Sequence, residues 1–270
     1  MYDAPYLIRE PIGKRVPLLV SLPHSGTGVP AEIRRRFAAP EIRGLPDTDW
    51  HLERLYDFVP RLGARMIIAR YNRYVVDLNR SKEGTPLYPG RFETSVVPRQ
   101  TFHGVRIYEP GNEPTAAEVI GRIEHFWQPY HDRIAEELCA LRDEFGYAIL
   151  FDAHSIVSRV PQIHEDRLPA FVLGTADGAS THEALADAMY SVLQASGVET
   201  TRNDPFHGGF ITRTYGLPDE GLHAMQLEMS QRMYMNEQAP FEYRDDKAVK
   251  LQVVLCSALE MMLQTAMGSA

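Results

Sequence analysis

The chain has 270 residues, with 28 basic against 36 acidic side chains and a formal charge of −8 with histidine neutral. Its 44% hydrophobic and 24% charged residues exclude disorder, collagen and coiled coil as the main state. The acidic balance argues against nucleic-acid and anionic-membrane partners, which need cationic surface, and two cysteines, Cys139 and Cys256, make no disulfide framework.

Apolar runs of strand length alternate with helix-period segments. Val16–Leu22 predicts the first strand. It lacks the flanks of a secretory signal, and no stretch approaches the roughly 20 apolar residues that span a bilayer, so a cytoplasmic location is expected. Asp49–Val59 predicts a short helix with an acidic first turn. Met66–Arg70 and Tyr74–Leu78 predict two strands joined tightly at 71–73, and residues 81–114 predict a long functional loop. Thr115–Phe145 predicts a helix with a break or kink at Pro129. Strands are predicted at Tyr147–Phe151, Ala170–Leu173 and Ala224–Leu227, with a second long loop over 203–221. Ser180–Ala195 predicts a helix opened by a Ser-Thr-His-Glu capping box, and Asp246–Ala266 a long amphipathic one. The pattern predicts an α/β fold, a three-layer, mostly parallel sheet with helices on both faces. No composition shift divides it, so one domain over 1–270 is expected.

Four predicted strands run into polar residues: Pro23-His24-Ser25-Gly26, Asn79-Arg80-Ser81, Asp152-Ala153-His154-Ser155 and Glu228-Met229-Ser230. Ligands of parallel α/β sheets bind outside the carboxyl ends of the strands, so these groups are expected at one edge. Catalytic zinc takes three protein ligands, commonly including imidazole, and keeps one position open. His24 and His154 are the natural imidazole pair. Asp47-Thr48-Asp49 offers the third ligand, Asp49 first and Asp47 second, with the other carboxylate free to orient a neighbour. Helix capping is the competing role for either aspartate. Arg80 with Asn79 suits recognition of a substrate carboxylate, or Arg80 bridges structurally to Asp77 or Glu83. Arg73 could reach the same pocket, or be an exposed turn residue. Glu228 follows an apolar run that would raise its pKa, as a general base needs; a helix N-terminal carboxylate is the alternative. His207-Gly208-Gly209 permits close backbone approach to a ligand, or is a plain turn. Gly26-Thr27-Gly28 is too short for a dinucleotide fingerprint, and no Gly-x-Ser-x-Gly elbow is present.

The segments Leu22-Pro-His-Ser-Gly26, Asp47-Thr-Asp-Trp50, Arg73-Tyr-Val-Val-Asp-Leu-Asn-Arg80, Asp152-Ala-His-Ser155, Leu173-Gly-Thr-Ala-Asp-Gly178, Gly208-Gly-Phe-Ile-Thr-Arg213 and Gln226-Leu-Glu228 occur in this order over about residues 15–235. Together they resemble the N-formylglutamate amidohydrolase (deformylase) family. The resemblance implies a mixed sheet related to zinc carboxypeptidases and phosphorylases, and one Zn2+ per chain held by His24, Asp49 and His154. It implies Glu228 as the base that activates water and Arg73 as oxyanion stabiliser. Asn79 and Arg80 would bind one substrate carboxylate and Arg213 the other, with His207, Gly208 and Gly209 at the substrate and Asp47 and Asp152 orienting ligands. The implied reaction converts N-formyl-L-glutamate, a small dianion, to formate and L-glutamate, as in histidine degradation. Two departures stand out. The third residue after His24 is Thr27 where carboxypeptidases carry Glu, so the Asp47–Asp49 segment must supply the acid ligand. His207 stands where the family has lysine, which places a mostly neutral group at the distal end of the substrate. Competing readings are an amidohydrolase of another N-acyl amino acid or small amide, and a non-catalytic carboxylate-binding protein.

Overall fold

Seven strands form one mixed sheet in the computed structural model of the chain, which describes residues 3–87, 90 and 92–269. They are β1 (Tyr6–Arg9), β2 (Leu18–Leu22), β3 (Arg65–Ala69), β4 (Ala148–Ile156), β5 (Phe171–Gly174), β6 (Thr200–Arg202) and β7 (Leu222–Ser230). Their order across the sheet is β1-β3-β2-β4-β7-β5-β6. β1 runs antiparallel to β3 and β5 antiparallel to β7, while every other neighbouring pair is parallel. The helices are α1 (Ala31–Arg34), α2 (Pro40–Arg43), α3 (Leu52–Leu55), α4 (Ala116–Arg122), α5 (Gln128–Phe145), α6 (Glu183–Ala195), α7 (Phe210–Tyr215) and α8 (Asp245–Ser269).

Side chains alternate across a strand with period two, and this divides the core. Val20, Leu22, Phe151, Ala153, Met225 and Leu227 pack on one face with α3, α6 and α8. Leu19, Ala148, Leu150, Leu222 and Ala224 pack on the other with α5. On that second face the sequence turns polar toward the carboxyl ends: Ser21 follows Leu19, Asp152 and His154 follow Leu150, and Gln226 and Glu228 follow Ala224. The middle of the sheet is therefore apolar on both faces at one end. At the other end it is apolar on one face and chemically armed on the other.

The predicted three-layer, mostly parallel arrangement is what the chain adopts, but several predicted elements differ. Tyr74–Leu78 is not a strand. β3 already pairs with β2 on one side and β1 on the other, so the segment that follows has no adjoining edge. It crosses as a strap of turns, with Tyr74, Val75, Val76 and Leu78 buried in the α5-side core. The edge strands β1 and β6, four and three residues long, carried too little periodicity to predict. β4 and β7 extend to nine residues each, so His154 and Glu228 lie inside strands rather than after them. Asp49–Val59 contains only the single turn α3, followed by a 3-10 turn at Val59–Leu62.

The Ser180 capping box does not form. The Ser180 hydroxyl donates to the Ala224 carbonyl (2.7 Å), and α6 starts at Glu183. Thr115–Phe145 does not break at Pro129: a π turn over Ile123–Trp127 joins α4 to α5 and absorbs the missing amide hydrogen. Contrary to the hydropathy expectation, Asp245–Gly268 is long and apolar enough to cross a bilayer by length and composition. In the fold its Leu251, Leu255, Leu259 and Met262 are buried in the core shared with α6. Tyr88, Pro89 and Arg91 of the predicted 81–114 loop lie outside the described residues.

Candidate active site

His24 leaves the end of β2, Asp49 sits in the loop before α3, and His154 projects from β4. Each is about 2% exposed. Their ligand atoms all lie within 4.8 Å of one another, the one such cluster of three or more metal-ligating side chains among the described residues. Asp49 Oδ2 is 3.9 Å from His24 Nδ1 and 3.3 Å from His154 Nδ1. Donors on a tetrahedral zinc with bonds of about 2.0–2.1 Å stand roughly 3.3 Å apart, so the spacing fits a small divalent ion.

The far side of each imidazole carries a carboxylate. His24 Nε2 is 2.7 Å from Asp77 Oδ1, and His154 Nε2 is 2.8 Å from Asp152 Oδ2. A carboxylate on Nε2 fixes the tautomer that leaves Nδ1 as an electron-pair donor, the usual support of a metal-ligating histidine. Asp49 is itself anchored by the Ser155 backbone N–H (3.0 Å). The Arg73 guanidinium contacts His24 Nδ1 and lies 3.6 Å from Asp77, so a positive group already stands against the cluster. An ion taking His24 Nδ1 would displace it.

Charge and burial compete at every group. Burial works against the ionised Asp77, but the His24 and Arg73 charges hold it well below the usual carboxylate range. Burial likewise opposes a charged His154, and Asp152 overcomes it, pushing that imidazole well above its ordinary value. His24 moves the other way, lowered by burial and by Arg73. Among the described residues no counter-ion is in hydrogen-bond contact with Glu228, and burial pushes its carboxyl up to about 8.

Glu228 pairs in register with His154 across β4 and β7. Both line a pocket of about 370 Å³ together with His24, Asp49, Arg73, Asn79, Arg80 and Gln226. A small apolar cluster covers it: Phe102, Ile156, Val160 and Leu168, with Phe92, Ile163 and Phe206 packed against them. Arg80 is steadied by the Thr94 carbonyl (3.0 Å), its neighbour's carbonyl at Asn79 (2.9 Å) and Glu93 (3.4 Å).

Other sequence candidates sit elsewhere. Asp47 accepts the Phe102 backbone N–H (3.0 Å) and so braces the roof. Arg213 is exposed and donates to the Gly208 carbonyl (2.8 Å), outside the pocket wall. His207 faces Asp177 (2.7 Å), also outside that wall, as is Gly208, whereas Gly209 lines it. Asp77, Gln226 and Ser155 all lie within the quoted motifs but carry no local signal that assigns them a role.

Known proteins of similar sequence and fold identify the family. The N-formylglutamate amidohydrolase family matches residues 16–235. An N-formylglutamate deformylase of Pseudomonas aeruginosa is 48% identical over 250 residues, covering 92% of this chain and 93% of the relative. One of Pseudomonas putida is 44% identical with the same coverage. The crystal structure of an N-formylglutamate amidohydrolase from Ralstonia eutropha JMP134 superposes with a TM-score of 0.87 at 26% identity, covering 98% of this chain and 100% of that one. By sequence and by fold, the chain belongs to the N-formylglutamate amidohydrolase family.

Proposed function

We propose that the chain hydrolyses the formyl amide of N-formyl-L-glutamate to formate and L-glutamate, with a divalent ion, zinc, held by His24, Asp49 and His154. The observation that carries this reading is the convergence of those three donors beside Glu228, on the floor of a pocket walled by Asn79 and Arg80. The 44–48% identity to named deformylases selects the substrate. When bound, the ion supplies a Lewis acid that polarises a carbonyl and makes water acidic near neutral pH.

The chain's own residues do the rest. Glu228, held on a strand and not on a loop, accepts a proton from water and returns it to the leaving nitrogen. Arg73 sets positive charge where the formyl oxygen becomes negative. Arg80 presents a planar fork to a substrate carboxylate, and Arg73 and Arg80 place positive charge in the pocket of a chain whose formal charge is −8, as a small dianion requires. The same chemistry suits a place in histidine degradation and calls for neither a nucleic acid nor a membrane.

Metal content and formate release, measured on one preparation, test the reading. Formate from N-formyl-L-glutamate with about one zinc per chain supports it, and full activity in metal-free protein overturns the metal. A panel of N-formyl and N-acetyl amino acids separates this substrate from its relatives.

A further inference from the structure

Gln226 lies on β7 two residues before Glu228, on the same face, and is 4% exposed. Its Oε1 accepts the Gly209 backbone N–H at 2.6 Å. Asn79 is tied in the same way, its Oδ1 accepting the Ile211 backbone N–H at 2.8 Å. A backbone N–H can only donate, so in each side-chain amide the oxygen must face it and the NH2 must face away. Neither amide can swing. A Cβ on Gly174 would stand 2.8 Å from Gln226 Cγ, and one on Gly209 would stand 2.2 Å from Asn79 Nδ2. Both residues line the pocket, as Arg80 does. Among the described residues no hydrogen bond takes up Gln226 Nε2, and that atom is not sealed from the pocket.

A carboxylate accepts about four hydrogen bonds, more than one guanidinium edge supplies. We propose that Gln226 is a substrate-binding residue that donates its Nε2–H to the same carboxylate that Asn79 and Arg80 hold. This rests on the hydrolytic reading above. It makes the strand that carries Glu228 also gauge the position of the substrate, so carboxylate and base are registered by one rigid element.

The test is Gln226→Glu, which keeps the length and an oxygen for Gly209 N–H but turns a donor into a negative acceptor, with Gln226→Met as the neutral variant. KM for N-formyl-L-glutamate should rise by about 30-fold or more in Gln226→Glu and about 10-fold in Gln226→Met, the range of one lost charge-assisted hydrogen bond. kcat should change less, and zinc content should stay at the wild-type level. The two monoamides of the substrate sharpen the result. The one lacking the carboxylate at Arg80 should erase most of the KM penalty of Gln226→Glu and of Arg80→Lys alike. An unchanged KM, or equal losses on all three substrates with a lowered Tm, makes Gln226 a structural anchor of Gly209 and overturns the proposal. If wild-type protein releases no formate, the hydrolytic reading fails separately. Calorimetric binding of L-glutamate to the zinc-loaded protein then decides on Gln226 by the same comparison, a rise in Kd of about 10-fold supporting it and no rise overturning it.

Discussion

His154 and Glu228 are register partners on the adjacent parallel strands β4 and β7, with side chains on the same face of the sheet. Neighbouring strands are about 4.8 Å apart, so a metal-ligating candidate and the candidate base are spaced by the ladder itself. Such spacing is stiffer than any loop could provide, and it survives substitution at either side chain.

Glu228→Gln should therefore leave the cluster intact. The amide fills the same space but accepts no proton, so kcat should fall by about 10²–10⁴-fold while zinc remains stoichiometric. Stopped formate assays and metal analysis of the same sample check this. Loss of zinc would instead make Glu228 a ligand.

Asp77→Asn removes the charge behind His24 and keeps its shape. Zinc affinity should fall about 10–100-fold, the usual effect of losing a carboxylate that orients a ligand. Competition with a chelator of known affinity measures it. Wild-type affinity would show that Asp77 serves Arg73 and not His24.

Arg80→Lys retains the charge but not the fork. Its guanidinium also meets the Thr94 and Asn79 carbonyls, contacts that an ammonium on a flexible stem cannot reproduce together. KM for N-formyl-L-glutamate should rise about 10-fold or more with little change in kcat. Unaltered KM removes Arg80 from substrate recognition.

Acid stability should depend on His131, which lies away from the catalytic cluster. It is buried under the strap, Nε2 donating to the Leu78 carbonyl at 2.8 Å and Nδ1 lying 3.0 Å from the Tyr215 hydroxyl. Burial lowers its pKa from 6.5 to about 4. The unfolded chain thus takes up this proton first as pH falls. The His131 contribution is complete above about pH 6.5 and drains as pH drops toward 4, by ~3 kcal/mol in all. His223, also lowered to about 4 by burial, acts in the same direction. Urea unfolding between pH 7 and 4 should show the decline, and His131→Gln should flatten it. An equally steep decline in that variant would assign the proton elsewhere.

Local chemistry along the chain was enough to mark His24, His154, Asn79, Arg80, Glu228 and the Asp47–Asp49 segment as candidates, because each stands beside an apolar run or inside a motif, where a polar side chain is conspicuous. Period and run length were enough for the α/β class and for the buried middle strands. What they could not convey was pairing. β1 is too short to announce itself, yet by taking the outer edge of β3 it leaves the apolar Tyr74–Leu78 segment as a strap and so brings Asp77 to His24. Likewise Asp47 and Asp49 are equivalent by composition. Only the three-dimensional path turns Asp49 toward the imidazoles and Asp47 toward Phe102 N–H. Residue type states which chemistry a side chain can perform. Strand register and edge occupancy, set by contacts far apart in the chain, determine which side chains perform it together.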